Sequence, residues 1–461
     1  MDAKELKEQL EYKNKSIFDS ISEDELERSF AYAERYKLFL DNAKTEREAV
    51  KYGIEMARRQ GFTEYKIGDE LSVNGKYYYN NRGKMLIAFK VGSEPLEKGA
   101  YIVAAHIDSP RIDLKQNPLY EDSGLGMFKT HYYGGIKKYQ WTTVPLSLHG
   151  VVIKSDGTSV DICIGEDDDE PIFYISDLLP HLAKDQMGKS LAEGITGEGL
   201  NIIVGSEPYR EEETDGAIRL NLLRILNTKY GICEEDFLSA ELCAVPAMKA
   251  RDIGLDRSLI GGYGHDDRVC AYPALTALFD TKNEEKTVFV ILADKEETGS
   301  DGVTGMQGEA FTDILCELSE QLGANYRVVK ANSKCLSADV NAAFDPNFPE
   351  VLERKNASYV NCGVVISKFT GSRGKSSTSD ATSEFTAYVR NMLNEAGVAW
   401  QMAELGKVDQ GGGGTVAKYI AVHNIDTLDV GVPVISMHAP YEAISKLDLY
   451  MTYKAFSAFI S

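Results

Sequence analysis

Apolar and polar positions change their period three times along the chain. Through the first 60 or so residues they recur at helical spacing, and Ser22 with Glu25 has the form of a capping box ahead of an amphipathic stretch ending at Gly61. The run YYYNNRGKMLIAFKVG then reads as two strands around a turn at Asn80 to Gly83. YIVAAHIDSP is an apolar run that stops at a histidine and a proline, the pattern of a buried strand. From about Gln116 to Val245, short alternating segments between turn residues predict antiparallel β structure, with helical pieces at Leu178 to Ala192 and Asp236 to Leu242. Beyond Val245 strands alternate with helices: HDDRVCAYPALTALFD, GEAFTDILCELSEQLG and TSEFTAYVRNMLNEAG are helical, KTVFVILAD is a buried strand, and GGGGTVAKYIAVHN opens a further helix. Such alternation means a sheet covered on both faces. The pattern predicts an α/β chain in which residues 1–115 and 246–461 form one discontinuous domain, with a β-rich domain, 116–245, inserted into it.

Composition narrows the classes. The chain has 461 residues, 43% apolar and 26% charged, enough for two or three ordinary domains. Its N-terminus is polar and helical in pattern, unlike a secretory signal. No window approaches the roughly 18 consecutive apolar residues of a membrane span. Seven cysteines are scattered without a CxxC pair, which predicts reduced thiols and a cytoplasmic protein. A formal charge of −21 would repel a phosphate backbone, so no nucleic-acid partner is expected. No membrane partner is expected either.

In open α/β sheets, ligands bind beyond the carboxyl ends of the strands. Polar residues where apolar runs stop are therefore the informative ones. They are His106 with Asp108 after YIVAA, Asp266 in GHDDR, Glu296-Glu297 after VFVILADK, Asp339 after CLSA, and His438 after VPVISM. Each has an ordinary reading by itself: a hydrogen-bonded histidine, a solvated helix start, a cap. In His-x-Asp the carboxylate can hold the ring and fix its tautomer. The set says more than its members. Two histidines, two aspartates and a glutamate, with one glutamate left over, suit two divalent ions sharing a bridging carboxylate, zinc first and cobalt or manganese as alternatives. The spare glutamate would be the base that metal-assisted hydrolysis needs.

At these residues the chain resembles the aspartyl aminopeptidase and vacuolar aminopeptidase I family of dinuclear zinc metallopeptidases. The likeness runs in order through AAHIDSPRIDLK, YGGIKKYQW, LPHLA, HDDRVCAYPALTAL, DKEETGS, SADV and PVISMH. It implies a three-layer α/β peptidase domain, a mixed central sheet flanked by helices, with an inserted β-rich dimerisation domain. By position it implies His106 and Asp339 on one metal, Glu297 and His438 on the other, and Asp266 bridging. Glu296 would be the general base and Asp108 the residue that orients His106. The resemblance further implies a homo-oligomer, a tetrahedral dodecamer, in which His181 of LPHLA reaches a neighbouring subunit's site to help hold the peptide substrate.

The chain also departs from the family. Its usual Ser-Pro-Thr-Pro-Phe-His segment is NAKTEREAV here, at 42–50, and TTVPLSLHG follows Trp141 where aspartyl members carry charges. The lysine that meets an acidic substrate side chain matches best at Lys368. Removal of either acidic or neutral N-terminal residues is therefore expected. Gly413 and Thr415, in VDQGGGGTVAK, are candidate substrate contacts, because glycines admit close backbone approach. A related dimetal deacylase or carboxypeptidase is the alternative reading. It differs in whether the site accepts a free α-amine or clamps a carboxylate.

Overall fold

In a computed structural model of the chain, which describes residues 2–210 and 215–461, the apolar runs become the middle of a nine-stranded sheet. Four strands at its centre, Val288–Ala293, Tyr101–His106, Lys334–Ser337 and Asp426–Gly431, lie side by side and parallel. VFVILA and MLIAFK are buried at every position, as two covered faces require. One face packs on helices that include Glu23–Asn42, His265–Asp280 and Lys446–Ile460. The other packs on Ala310–Gln321, Tyr326–Asn332 and Ala417–Ala421. The result is the expected three-layer α/β arrangement.

A second sheet of six antiparallel strands has its own core, built around Trp141, Leu148, Ile162 and Phe237. It takes residues from Arg111 to Pro246, so both limits drawn at 116 and 245 fall inside strands, Arg111–Asp122 and Ala240–Pro246. A third sheet of five short strands includes Leu259–Gly262, Pro433–Ile435 and Glu442–Ser445.

Several expected elements come out differently. The first amphipathic stretch is two helices, Glu23–Asn42 and Glu46–Arg59, because Thr45 and Glu48 form a capping box that starts a new helix. Only Lys184–Met187 and Leu191–Gly194 are helical between 178 and 192. Of the segment Asp236 to Leu242, the first part is a 3₁₀ turn and Leu242 belongs to a strand. A helix at Ala217–Tyr230 was not anticipated. The helix after the glycine run is five residues, Ala417–Ala421.

The corner between the first two long helices carries the contact between the two larger sheets. Lys44 pairs with Glu166 at 2.7 Å, Glu46 with Arg111 at 2.9 Å, and Arg47 with Glu241 at 2.7 Å. Glu48 lies 2.6 Å from His149. The departure from the family at 42–50 thus lies at this charged seam.

Candidate metal centre

His106 ends one central strand, Glu296 and Glu297 follow the next, and Asp339 follows a third, so three neighbouring strand ends deliver their polar residues to one place. Asp266 enters from the start of the helix His265–Asp280. His438 arrives from the five-stranded sheet, just after Pro433–Ile435. Gly431 lets Asp339 approach: a Cβ there would sit 1.7 Å from the Asp339 carbonyl oxygen.

The Nε2 of His106 lies 3.1 Å from Asp266 and 3.9 Å from both Glu296 and Asp339. The Nε2 of His438 lies 3.2 Å from the other Asp266 oxygen and 3.4 Å from Glu297. Asp266 therefore shows one oxygen to each histidine. The Nδ1 atoms are occupied elsewhere. That of His106 is 3.0 Å from the Asp108 carbonyl, and that of His438 is 2.7 Å from the Gly135 carbonyl. A carbonyl only accepts, so each Nδ1 carries the proton and each Nε2 is left to bind a cation.

Charge supports the same conclusion. Burial opposes protonation of His106, yet hydrogen bonds to Asp108 and Asp266 hold its pKa well above the ordinary value. His438, through Asp266 and Glu297, rises to about 10 despite burial. Burial, with Asp266 nearby, raises Glu297 well above a normal carboxylate, and burial with Glu296 does the same to Asp339. Glu296 rises to about 7 for the same first reason. Buried carboxylates this close need positive charge, and protons supply it where cations are lacking. The Glu297 Oε1 is buried with no hydrogen-bond partner. Imidazole and carboxylate donors of this kind fit zinc.

Two residues that sequence reasoning did not assign also shape the site. Tyr133 donates its hydroxyl to Asp108 at 2.7 Å, while the Arg111 guanidinium lies 4.1 Å from the centroid of its ring. Asp108 further accepts the Glu296 and Glu297 backbone N–H groups, at 3.1 and 3.2 Å. Buried Glu442 accepts the N–H of Asp266 and of His438, at 3.2 and 2.7 Å. Glu442 follows His438 by four positions, but Tyr133 had no local signal beyond its place before Gly134-Gly135.

Family comparison agrees. The model of the aminopeptidase I zinc metalloproteases, M18, matches residues 39–460. The chain belongs to the M18 family. It is a metallo-aminopeptidase, a peptide-bond hydrolase of the zinc class. A probable M18 family aminopeptidase 1 of Clostridium acetobutylicum is 50% identical over 459 residues, covering 98% of both chains. The crystal structure of an M18 aminopeptidase from Thermotoga maritima superposes with a TM-score of 0.93 at 44% identity, over 98% of this chain and all of that one. The Saccharomyces cerevisiae mApe1 dodecamer, 23% identical, shares the fold over 93% of this chain and 96% of its own, with a TM-score of 0.76.

The remaining candidates divide. Gly413 and Thr415 line a cavity of about 520 Å³ together with Asp266, Glu296, Glu297, Asp339 and His438. Lys368 is outside that lining and pairs with Asp380 at 2.7 Å. His181 is exposed, on the loop before Lys184–Met187, and is also outside the cavity lining.

Proposed function

We propose that this M18 aminopeptidase removes neutral, apolar N-terminal residues from peptides at a two-zinc centre. In it His106 and Asp339 would hold one ion, Glu297 and His438 would hold the other, and Asp266 would serve both. The carrying observation is the geometry of Asp266, with one oxygen toward each histidine Nε2 and both Nδ1 atoms held by backbone carbonyls. Two bound zinc ions would supply Lewis acidity for the scissile carbonyl and the attacking water. Glu296 lies 3.9 Å from His106, within the cavity, and acts as the general base that carries a proton from water to the leaving nitrogen. Asp108 holds the His106 ring in place. The Gly411–Thr415 run offers backbone groups to the substrate.

The lining of the cavity supports the neutral preference. Next to the metal side, and sharing Leu405, Met437 and His438 with it, is a cavity of about 670 Å³ walled mainly by Ile136, Tyr139, Phe348, Val351, Leu352 and Val434, with Lys137 and Asp345 offering opposite charges in the same lining. Lys368 is committed to Asp380. Lys418, which does line the metal-side cavity, lies with its Nζ 4.6 Å from the centroid of the Tyr419 ring. An apolar side chain gains from such a wall, and an acidic one would lose its hydration there.

We further read residues 111–246 as an inserted dimerisation unit, and the active assembly as a closed oligomer, in line with the yeast dodecamer. His181 then serves a neighbouring subunit's site. The scattered free thiols fit a cytoplasmic, reducing setting. The test is a panel of aminoacyl chromogenic substrates (Leu, Met, Lys, Asp, Glu), with and without a chelator and with zinc restored. Chelator-sensitive cleavage, restored by zinc and fastest on Leu or Met, is expected. Faster cleavage of Asp or Glu would overturn the neutral preference, and chelator-resistant cleavage would overturn the zinc mechanism.

A further inference from the structure

Three donors away from the catalytic centre meet at the charged seam. His149, in the strand Leu146–Ile153, stands directly across from Cys163 on the edge strand Ser159–Ile164, so both side chains project from the same face of the six-stranded sheet. Glu48, from the first turn of the helix Glu46–Arg59, reaches over to them, with Oε1 2.6 Å from the His149 Nδ1. One donor atom from each of the three lies within 4.8 Å of the others. They share no residue with the centre built on Asp266.

The surroundings of His149 are those of a ligand. Its Nε2 lies 3.0 Å from the Ser147 hydroxyl and 3.1 Å from Glu166, and Glu166 is itself anchored by Lys44 and Lys249 at 2.7 and 2.8 Å. The Glu166 carboxylate and the Ser147 hydroxyl thus hold one ring nitrogen, while the other faces Glu48. The Glu48 Oε2 accepts the Thr45 N–H at 3.0 Å, which fixes that carboxylate with its other oxygen turned toward His149. Cys163 is exposed, so an ion has a path in and a solvent position remains for a fourth ligand.

We propose that Cys163, His149 and Glu48 form a second metal site, separate from the catalytic pair, for a borderline-soft divalent ion of the zinc class. A thiolate with an imidazole selects such an ion over magnesium or calcium. Bound there, it staples the helix Glu46–Arg59, which packs on the nine-stranded sheet, to the six-stranded sheet.

Cobalt is the probe that tells the two sites apart. The catalytic donors are nitrogen and oxygen only, so cobalt there gives no thiolate-to-metal charge-transfer band. The full-length protein, stripped by a chelator and titrated with Co²⁺, should develop that near-ultraviolet band. Cys163→Ser should abolish it and hold one zinc fewer per chain, with cleavage of aminoacyl substrates retained. His149→Gln should weaken the cobalt response roughly tenfold or more. A wild-type protein without the band overturns the site, as does a band or a zinc count that survives Cys163→Ser. Neither result depends on whether the catalytic assignment is right.

Discussion

At the scale of single residues, the candidate ligands were legible because the fold places them where strands end. His106 closes YIVAA and Glu297 follows VFVILA, runs that a sequence shows directly, while Asp339 follows the shorter and more polar KCLS. Tyr133 was not legible, because its role exists only through a hydrogen bond to Asp108, 25 positions away. Tyr133→Phe keeps the ring under Arg111 and removes the donor. We expect zinc affinity to fall about 10- to 100-fold, read by competition with a chromophoric chelator, with kcat reduced more than KM is changed. Unchanged zinc affinity would show that Asp108 holds His106 without help. Glu296→Gln should act differently: activity falls on the order of 10²–10⁴-fold while zinc content by atomic absorption stays at the wild-type level. A Gln variant that remains active would remove Glu296 from the base role.

At the scale of elements, continuous apolar strands were the easiest to read and mixed-period segments the hardest. Leu242 sits where a 3₁₀ turn passes into a strand, and a short apolar run there fits either period. The helix Ala217–Tyr230 has only Ile218 and Asn221 buried, so it carries little of the stripe that marks a helix in sequence. Ion pairs that join elements leave no local pattern at all. Asp252, in the strand Arg251–Ile253, binds Lys37 at 2.8 Å, Lys446 at 2.8 Å and Arg257 at 2.7 Å, and so ties the helices Glu23–Asn42 and Lys446–Ile460 together. Burial alone would raise its pKa, but the three cations hold it below the ordinary 3.8. A depressed carboxylate contributes stability that is complete above its unfolded value and is lost as pH falls through the folded one. Asp252→Asn leaves Lys446, 1% exposed, with only Glu34 at 3.4 Å as an anionic partner, at a cost of up to roughly 3–5 kcal/mol near neutral pH. Thermal melts at stepped pH should show the gap between wild type and variant narrowing below about pH 4. A gap that is constant down to strongly acid pH would mean that the cluster does not depend on the Asp252 charge.

At the scale of the whole molecule, one segment exposes apolar side chains that this chain's own core does not cover. Between residues 172 and 191, Leu178, Leu179, Leu182, Met187 and Leu191 are all more than half exposed, on a loop that also carries His181. Scattered apolar residues on a surface need no explanation, but a consecutive group around a polar residue has the form of an interface. The charge of −21 makes the point stronger, since a strongly acidic surface resists association unless some patch offers apolar contact. The sequence pattern predicts a helical piece at Leu178 to Ala192, yet its leucines do not fold onto this chain's own core. Light scattering of the wild-type protein should therefore give the mass of a closed oligomer, twelve chains if the yeast arrangement applies. Leu179→Asp combined with Leu182→Asp places two charges in the loop and should shift that mass to smaller species. If His181 acts on a neighbour's substrate, cleavage should fall in the same fractions that lose mass, while zinc content, set by ligands within one chain, should not. A wild-type monomer would assign this loop another role. An assembled double variant with full activity would place the interface elsewhere on the surface.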